Sequence, residues 1–251
     1  MNETVCVVPV SPVRSESSHK SEMVSQLLFG DIVTVLENAD EWQRVSVQFD
    51  CYEGWCTTAH LMVLPGRQNT EVPAFTGEWV NPIHQNDVAM QLPLGCEISL
   101  FLNGAAGSNA FRYEGKLLSL KKYPHFAEQV IYLSYFFLNT PYLWGGRSVF
   151  GIDCSGFSQL VFKMAGKRLL RDACQQAGQG TPVKSDQAQA GDLAFFTNES
   201  GRVVHVGILL EKGLIIHAAG KVRIDQLTAE GIISVDTGLK THSLSGIRRY
   251  S

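Results

Sequence analysis

A cysteine at the start of a helical repeat is the residue of this chain that is best suited to do chemistry. Cys154 ends a loop that contains Gly145 and Gly146, and apolar residues at helical spacing follow it from Phe157 to Met164. A helix amino terminus carries partial positive charge and free N–H groups, which favour a thiolate and can bind a developing oxyanion. The pattern therefore indicates a nucleophile, the alternative being a buried cysteine that packs at a helix start.

Two histidines on neighbouring apolar runs could serve this nucleophile as a base. The runs VVHVGILL and LIIHAAG are separated by a three-residue hairpin loop. If Leu210 pairs with Leu214, His205 lies opposite Ala219, and His217 is its diagonal neighbour on the same face. The register predicts a Cys-His-His site in which His205 is the base and His217 orients it. A slip of one residue would put His217 on the opposite face.

Short β-rich runs separated by turn residues dominate the first half of the chain. In residues 1–64 these runs are Val5–Val8, Asp31–Leu36, Trp42–Gln48 and Gly54–Thr57. Their spacing predicts a small barrel. Residues 65–71 are polar and are interpreted as a linker. Because MQLPLGCEISLF repeats the pattern of SQLLFGDIVTVL, residues 72–120 are predicted to form a second, degenerate barrel.

The hydrophobic period changes at His125. Apolar residues at helical spacing predict a helix over 125–138 and a second helix from Cys154 to Gly166. The strands predicted after them are Asp192–Phe196, Val203–Leu210, Leu214–Ala218, Val222–Ile224 and Leu244–Arg248. Helices followed by consecutive hairpin strands predict an α+β domain over residues 122–251.

The composition argues against two classes of partner. The 251 residues carry 21 Lys and Arg against 24 Asp and Glu, which leaves no basic footprint for nucleic acid. No apolar run approaches the roughly 18 residues that span a bilayer.

The amino terminus lacks the features of a secretory signal and the six cysteines are scattered, so we expect reduced thiols and a cytoplasmic protein. Cys51, Cys56 and His60 are poorly spaced for zinc, and we expect no metal or other cofactor.

Two sets of motifs resemble known bacterial families. Residues 1–64 resemble the bacterial SH3-like domain, and the marks are Arg14-Ser15-Glu16, Leu28-Phe29-Gly30-Asp31, Glu41-Trp42 and Tyr52-Glu53-Gly54-Trp55. Residues 122–251 resemble the NlpC-type cell-wall cysteine peptidases, and the marks are DCSGF at 153–157, His205, His217 and Ala190-Gly191-Asp192-Leu193. With two SH3-like domains upstream, the whole chain resembles the dipeptidyl-peptidase VI branch, the γ-D-glutamyl-L-diamino acid endopeptidases.

The resemblance implies a fold and an activity. The fold is a papain-like α+β catalytic domain preceded by two small SH3-like β-barrels. The activity is hydrolysis of the bond between γ-D-glutamate and the diamino acid of peptidoglycan stem peptides that carry a free amino-terminal L-alanine, in murein peptide recycling. The implied partner is the stem peptide, and no protein partner is indicated.

The resemblance also assigns roles near the nucleophile. Cys154 would attack, His205 would take its proton, and His217 would be the third polar member. Tyr142 would lie near the oxyanion site. The neighbours of the nucleophile in the substrate cleft would be Asp153 and Ser155.

Further positions are implied for binding the substrate amine. Asp172 would meet the ammonium group of L-alanine, and Glu16 and Tyr52 of the first SH3-like domain would close that end of the cleft. Glu22 is the alternative acid. Ala173 stands where the family often has serine, which leaves one substrate hydrogen bond open.

Two other functions stay open on the residues alone. One is a non-catalytic module that binds cell-wall peptides, and an intact set of Cys154, His205 and His217 argues against it. The other is an amidase or acyltransferase that uses the same nucleophile, and the SH3-like domains favour the peptidase over it.

Overall fold

The protein consists of two compact units in a computed structural model that describes residues 3–64, 73–106 and 109–250. The first unit comprises Met1–Ser119 and Trp144–Phe150, and the second comprises Leu120–Leu143 and Gly151–Ser251. The linker expected at 65–71 lies outside the described residues. The domain boundaries expected from the sequence stay predictions.

A seven-stranded antiparallel sheet builds the beginning of the first unit. Its strands are β1 (Glu3–Cys6), β2 (Val10–Arg14), β3 (Met23–Leu28), β4 (Ile32–Ala39), β5 (Trp42–Val47), β6 (Glu53–Thr57) and β7 (Leu61–Leu64). They lie in the order β3-β2-β6-β5-β4-β1-β7. Alternate residues point inward, so Val13, Val33, Val45 and Cys56 meet in one apolar core. The sequence patterns do not predict β2 and β3.

A second, four-stranded sheet follows in the same unit. Its strands are β8 (Val80–Gln85), β9 (Val88–Pro93), β10 (Ala105–Ala106) and β11 (Asn109–Tyr113), in the order β10-β11-β8-β9. Asn86 and Asp87 join β8 to β9 with φ angles of 47° and 67°, as a type I′ hairpin turn requires. A complete second SH3-like barrel over 72–120 stays a prediction.

The segment Trp144–Phe150 belongs to the first unit, although the chain on both sides of it belongs to the second. It contains the short strand β12 (Arg147–Ser148). Arg147 is buried, donates to the Gln26 carbonyl at 2.7 Å and pairs with the Asp31 carboxylate at 3.2 Å. The backbone N–H of Arg147 donates to the Gln26 side chain at 2.8 Å. Residues of the first unit therefore hold this segment in place.

The second unit packs helices against a curved antiparallel sheet. Its helices are α1 (Phe126–Tyr135), α2 (Cys154–Met164) and α3 (Ala173–Ala177). Its strands are β13 (Gly151–Ile152), β14 (Thr181–Val183), β15 (Leu193–Thr197), β16 (Val203–Leu209), β17 (Leu214–Ala219), β18 (Lys221–Thr228), β19 (Gly231–Ile233) and β20 (Lys240–Arg249). The order is β14-β20-β15-β16-β17-β18-β19, and β19 also pairs with β20, which closes six strands into a barrel. Helix α1 ends at Tyr135 rather than at 138.

These elements confirm the expected α+β fold class. Among the described residues, no helix combines the length and the apolar character needed to cross a membrane. All six cysteines lie in the described part of the chain, and each is a free thiol.

Candidate active site

Helix α2 begins at Cys154 because Asp153 caps it. The Asp153 carboxylate accepts a hydrogen bond from the Gly156 N–H at 2.6 Å, which satisfies an amide that has no partner within the helix. Arg171 donates two hydrogen bonds to the same carboxylate, at 2.6 and 3.0 Å, and one to the Ser155 hydroxyl at 2.9 Å. Since Arg171 and Asp153 are both buried, a desolvated ion pair anchors the backbone of the candidate nucleophile.

The thiol of Cys154 is protonated at neutral pH. Burial and the neighbouring Asp153 carboxylate raise the pKa of this thiol to about 12, although the backbone N–H groups of Val206 and Ser155 act in the opposite direction. The expectation that the helix amino terminus would favour a thiolate is wrong for this state, because burial and the Asp153 carboxylate outweigh the groups that lower the pKa. The N–H of Val206 belongs to β16, the strand that carries His205, and helix α2 packs against this strand.

Strands β16 and β17 bring His205 and His217 together in the register that the sequence predicts. Gly207 lies opposite His217, so His205 is the diagonal neighbour of His217. His205 Nε2 lies 2.8 Å from His217 Nδ1. A side chain at Gly207 would have its Cβ 2.9 Å from the His217 Cβ and 2.7 Å from the Ile215 Cδ1. The missing side chain of Gly207 therefore leaves the room in which His217 sits.

A carboxylate on β18 continues this chain of hydrogen bonds. His217 Nε2 lies 2.9 Å from Asp225 Oδ2. Asp225 also accepts from Arg223 Nη2 at 2.8 Å and from the Val235 N–H at 2.9 Å, and its carboxylate forms an ion pair with Arg223, whose Nε lies 2.8 Å from Oδ2. Burial acts to raise the pKa of Asp225, but the hydrogen bonds from these donors outweigh it and lower that pKa below its usual value. Asp225 is therefore a buried, ionised carboxylate.

Burial lowers the pKa values of both imidazoles. The pKa of His217 falls to about 4, although the Asp225 carboxylate acts to raise it. The pKa of His205 falls well below its ordinary value, because repulsion from His217 and His242 adds to the effect of burial. At neutral pH the site therefore holds a neutral base and a neutral thiol, and a proton must leave Cys154 as the sulfur attacks.

A third imidazole stacks on the ring of His205. The ring centre of His242, on β20, lies 4.2 Å from that of His205, with the ring planes inclined by 25°. These two rings and Tyr142 line a cavity of about 280 Å³, and small residues at 218–220 form much of the remaining wall. Burial and the nearby Cys154 raise the pKa of Tyr142 to about 12, so its hydroxyl keeps its proton and can donate a hydrogen bond.

The residues expected to bind a substrate amine are exposed or half-buried. In the first unit Glu16 is exposed and Tyr52 is half-buried, while Glu22 accepts a hydrogen bond from Trp144 Nε1 at 2.6 Å. In the second unit Asp172 is half-buried at the N-cap position of α3. Their roles in binding stay predictions.

Comparisons with known proteins agree with this geometry. The NlpC/P60 family model matches residues 139–240, and the model for the bacterial dipeptidyl-peptidase SH3 domain matches residues 13–61. The gamma-D-glutamyl-L-lysine dipeptidyl-peptidase of Bacillus subtilis (strain 168) is 30% identical over 227 residues, which cover 77% of this chain and 71% of that protein. The chain belongs to the NlpC/P60 family.

Further relatives extend the similarity to nearly the whole NlpC/P60 chain. The dipeptidyl-peptidase 6 of Lysinibacillus sphaericus is 26% identical over 245 residues, which cover 86% of this chain and 87% of that protein. A crystal structure of an NlpC/P60 family protein from Bacillus cereus ATCC 10987 covers 99% of both chains at 22% identity, with a TM-score of 0.76, and so has the same fold. The chain is a cysteine peptidase with a bacterial SH3 domain near its amino terminus.

Three residues of this NlpC/P60 site escape the sequence patterns. Asp225 could have been found, because a hairpin around Gly220 places it diagonal to His217. No comparable signal exists for His242, since β20 reaches the site only by long-range pairing. The sequence patterns likewise do not predict the ion pair between Arg171 and the helix cap Asp153, because it joins two separate stretches of chain.

Proposed function

We propose that this protein hydrolyses the amide bond between γ-D-glutamate and the diamino acid of peptidoglycan stem peptides. The names of its relatives, gamma-D-glutamyl-L-lysine dipeptidyl-peptidase and dipeptidyl-peptidase 6, support this substrate class. The observation that carries the proposal is a buried cysteine at a capped helix start, in a helix that packs against the two strands carrying a hydrogen-bonded pair of histidines. In this proposal the catalytic residues are Cys154, His205 and His217.

The reaction proceeds through a thioester on Cys154. The sulfur attacks the γ-carbonyl carbon of D-glutamate while His205 takes the thiol proton, and Tyr142 donates a hydrogen bond to the developing oxyanion. The C–N bond then breaks, and the imidazolium of His205 protonates the leaving amine of the diamino acid. A water that loses its proton to His205 attacks the thioester, which releases the γ-carboxylate and restores the thiol.

Product analysis tests the proposal directly. The purified protein is incubated with L-Ala-γ-D-Glu-diaminopimelate and, separately, with L-Ala-γ-D-Glu-L-Lys, and the products are identified by mass spectrometry. We expect the dipeptide L-Ala-γ-D-Glu and the free diamino acid. Cleavage at another bond, or acyl transfer to an added amine in place of hydrolysis, would show an amidase or acyltransferase. Tight binding of the peptide without any turnover would show a non-catalytic binding module.

We also propose that the enzyme requires a free amino group on the L-alanine. The support for this specificity is the resemblance of Glu16, Tyr52 and Asp172 to amine-binding positions of the family. Acetylation removes the positive charge and leaves an acid without its partner, which could lower kcat/KM by about a thousandfold or more. The measurement compares the free and N-acetylated tripeptides under identical conditions, and comparable rates on both would overturn this specificity.

A matched pair of measurements tests the assignment of Tyr52. Tyr52→Phe removes one hydroxyl, so we expect a higher KM for the free peptide and an unchanged rate of alkylation of Cys154 by iodoacetamide. An unchanged KM would show that another residue binds the amine.

Preference for free peptides would suit an enzyme that recycles murein peptides in the cytoplasm. Cell fractionation followed by immunodetection tests this location. Recovery of the protein outside the cell, together with release of peptides from intact peptidoglycan, would show wall digestion instead.

A further inference from the structure

The hydrogen bonds behind His205 end on a buried carboxylate that the mechanism above does not use. We propose that Asp225 is a positioning residue that holds the ring of His217 and thereby sets which nitrogen of His205 is left to take the thiol proton. The inference rests on the proposed function, because the role has meaning only if His205 acts as a base.

The donors and acceptors of the hydrogen bonds from His205 through His217 to Asp225 are compatible with only one arrangement of protons. An ionised carboxylate can only accept, so His217 carries its proton on Nε2, which lies 2.9 Å from Asp225 Oδ2. A neutral imidazole carries one proton, which leaves His217 Nδ1 as an acceptor. His205 Nε2, 2.8 Å away, must then donate to it. The nitrogen of His205 that remains without a proton is Nδ1, and this nitrogen is the base.

The surroundings of Asp225 exclude the reversed order. In that order His217 Nε2 would have to accept a hydrogen bond from a protonated Asp225. The carboxylate instead receives two other hydrogen bonds, one from Arg223 Nη2 and one from the Val235 N–H, and it forms an ion pair with the Arg223 guanidinium. Every one of these donors stabilises the ionised form, so Asp225 has no proton to give.

Burial strengthens the influence of Asp225 on the protonation of the two imidazoles. His205, His217 and Asp225 are between 1 and 5% exposed, so water cannot freely reorient the rings or solvate a charge on them. When His205 takes the thiol proton, it becomes a buried cation whose nearest anion along the hydrogen-bonded chain is Asp225. A buried charge of this kind needs an opposite charge that is reached through satisfied hydrogen bonds.

The first test compares Asp225→Asn with Asp236→Asn. Asparagine keeps the size of the side chain and an oxygen for the Val235 N–H, but its NH₂ group can donate to His217 and permit the reversed order. Asp236 provides the matched control, because it pairs with the same Arg223 at 2.8 Å but its side chain is 70% exposed. We expect Asp225→Asn to lower kcat at least about 100-fold with little change in KM, and Asp236→Asn to stay within about twofold of the parent.

A double variant tests whether Asp225 acts through His217. In a His217→Gln background the ring that Asp225 holds is absent, so adding Asp225→Asn should lower kcat by less than about threefold. If the two losses instead multiply in full, Asp225 acts by another route and the proposal is overturned.

Nitrogen-15 NMR of the imidazoles gives a measurement that needs neither substrate nor a variant. In the parent protein we expect protonated Nε2 and bare Nδ1 on both His205 and His217. A proton on Nδ1 of either ring would overturn the proposal even if Asp225→Asn failed to fold. If the expected pattern were found but no stem peptide were cleaved, the proposed function would be wrong while the role of Asp225 in setting the tautomers would stand.

Discussion

Cys154 and His205 are both neutral in the resting protein, and the physical cause is the same for each. Burial raises the pKa of the thiol to about 12 and lowers that of the imidazole well below its usual value, because both charged forms lose their hydration. The sulfur therefore becomes nucleophilic only as its proton moves to His205 during attack on an electrophile. Replacing either group should stop the reaction at the same point.

The nucleophile can be tested against a second cysteine of the same unit. Cys154→Ala removes one sulfur at a helix start, so we expect less than about one hundredth of the parental activity with the fold intact. Cys174→Ala is the matched control, because this exposed cysteine lies on α3 and should leave activity nearly unchanged. Peptide turnover and circular dichroism of both variants check the prediction, and a similar loss in the two would discredit the choice of Cys154.

The two histidines should differ in how well they can be replaced. His205→Ala removes the base, and we expect a loss as large as that of Cys154→Ala. His217→Gln keeps a polar group that can accept from His205 Nε2, so it should retain more activity than His205→Ala. Steady-state kinetics of both variants measure the difference. Full activity of His217→Gln would show that His217 has no role in catalysis.

The hairpin of β16 and β17 determines where the histidines lie, and it depends on a close approach at Gly207. The strand pairing sets His217 opposite Gly207, where any Cβ would touch both His217 and Ile215. A one-residue slip would turn His217 to the other face of the sheet. The geometry of the site is therefore a property of this hairpin as much as of the side chains.

Gly207→Ala should displace His217 from its place beside His205. Overpacking of this kind costs about 1–3 kcal/mol of the free energy of unfolding, and we expect kcat to fall more than about tenfold because the ring is misplaced. Gly246→Ala is the matched control, since it also lies in a strand of this sheet but has open space around its Cβ position. Urea unfolding and kinetics of the pair test the prediction, and equal behaviour of the two variants would contradict it.

Burial of the two imidazoles and of the thiol ties the stability of the protein to pH. An unfolded histidine binds a proton below about pH 6.5, whereas folded His217 resists it down to a pKa of about 4. The unfolded chain then binds more protons than the folded one, so stability is lost as the pH falls below about 6.5. At the other end, an unfolded cysteine ionises near pH 8.5 while folded Cys154 stays neutral, so stability is also lost as the pH rises beyond that value.

The free energy of unfolding should therefore be greatest between about pH 6.5 and 8.5. Below that range, each of the two buried histidines should lower the free energy of unfolding by about 1.4 kcal/mol per pH unit. His217→Gln should make this acid slope shallower, because it removes one of the groups whose pKa the fold lowers. Urea unfolding at a series of pH values gives the slopes, and identical slopes for the parent and His217→Gln would contradict the linkage.

Local patterns in the amino-acid sequence predicted many of the elements of this protein and the pairing of His205 with His217. A glycine-containing loop followed by apolar residues at helical spacing predicts the helix start at Cys154. A three-residue loop between two apolar runs predicts the register that joins His205 to His217. Both rules act over a few residues. The tertiary structure alone decided the charge state of Cys154, since desolvation depends on everything packed around the sulfur. It also decided the stacking of His242 on His205 and the placing of Trp144–Phe150 in the first unit. These features arise from contacts between residues far apart in the chain. The spacing of neighbouring residues in the sequence carries no information on the free energy of such contacts.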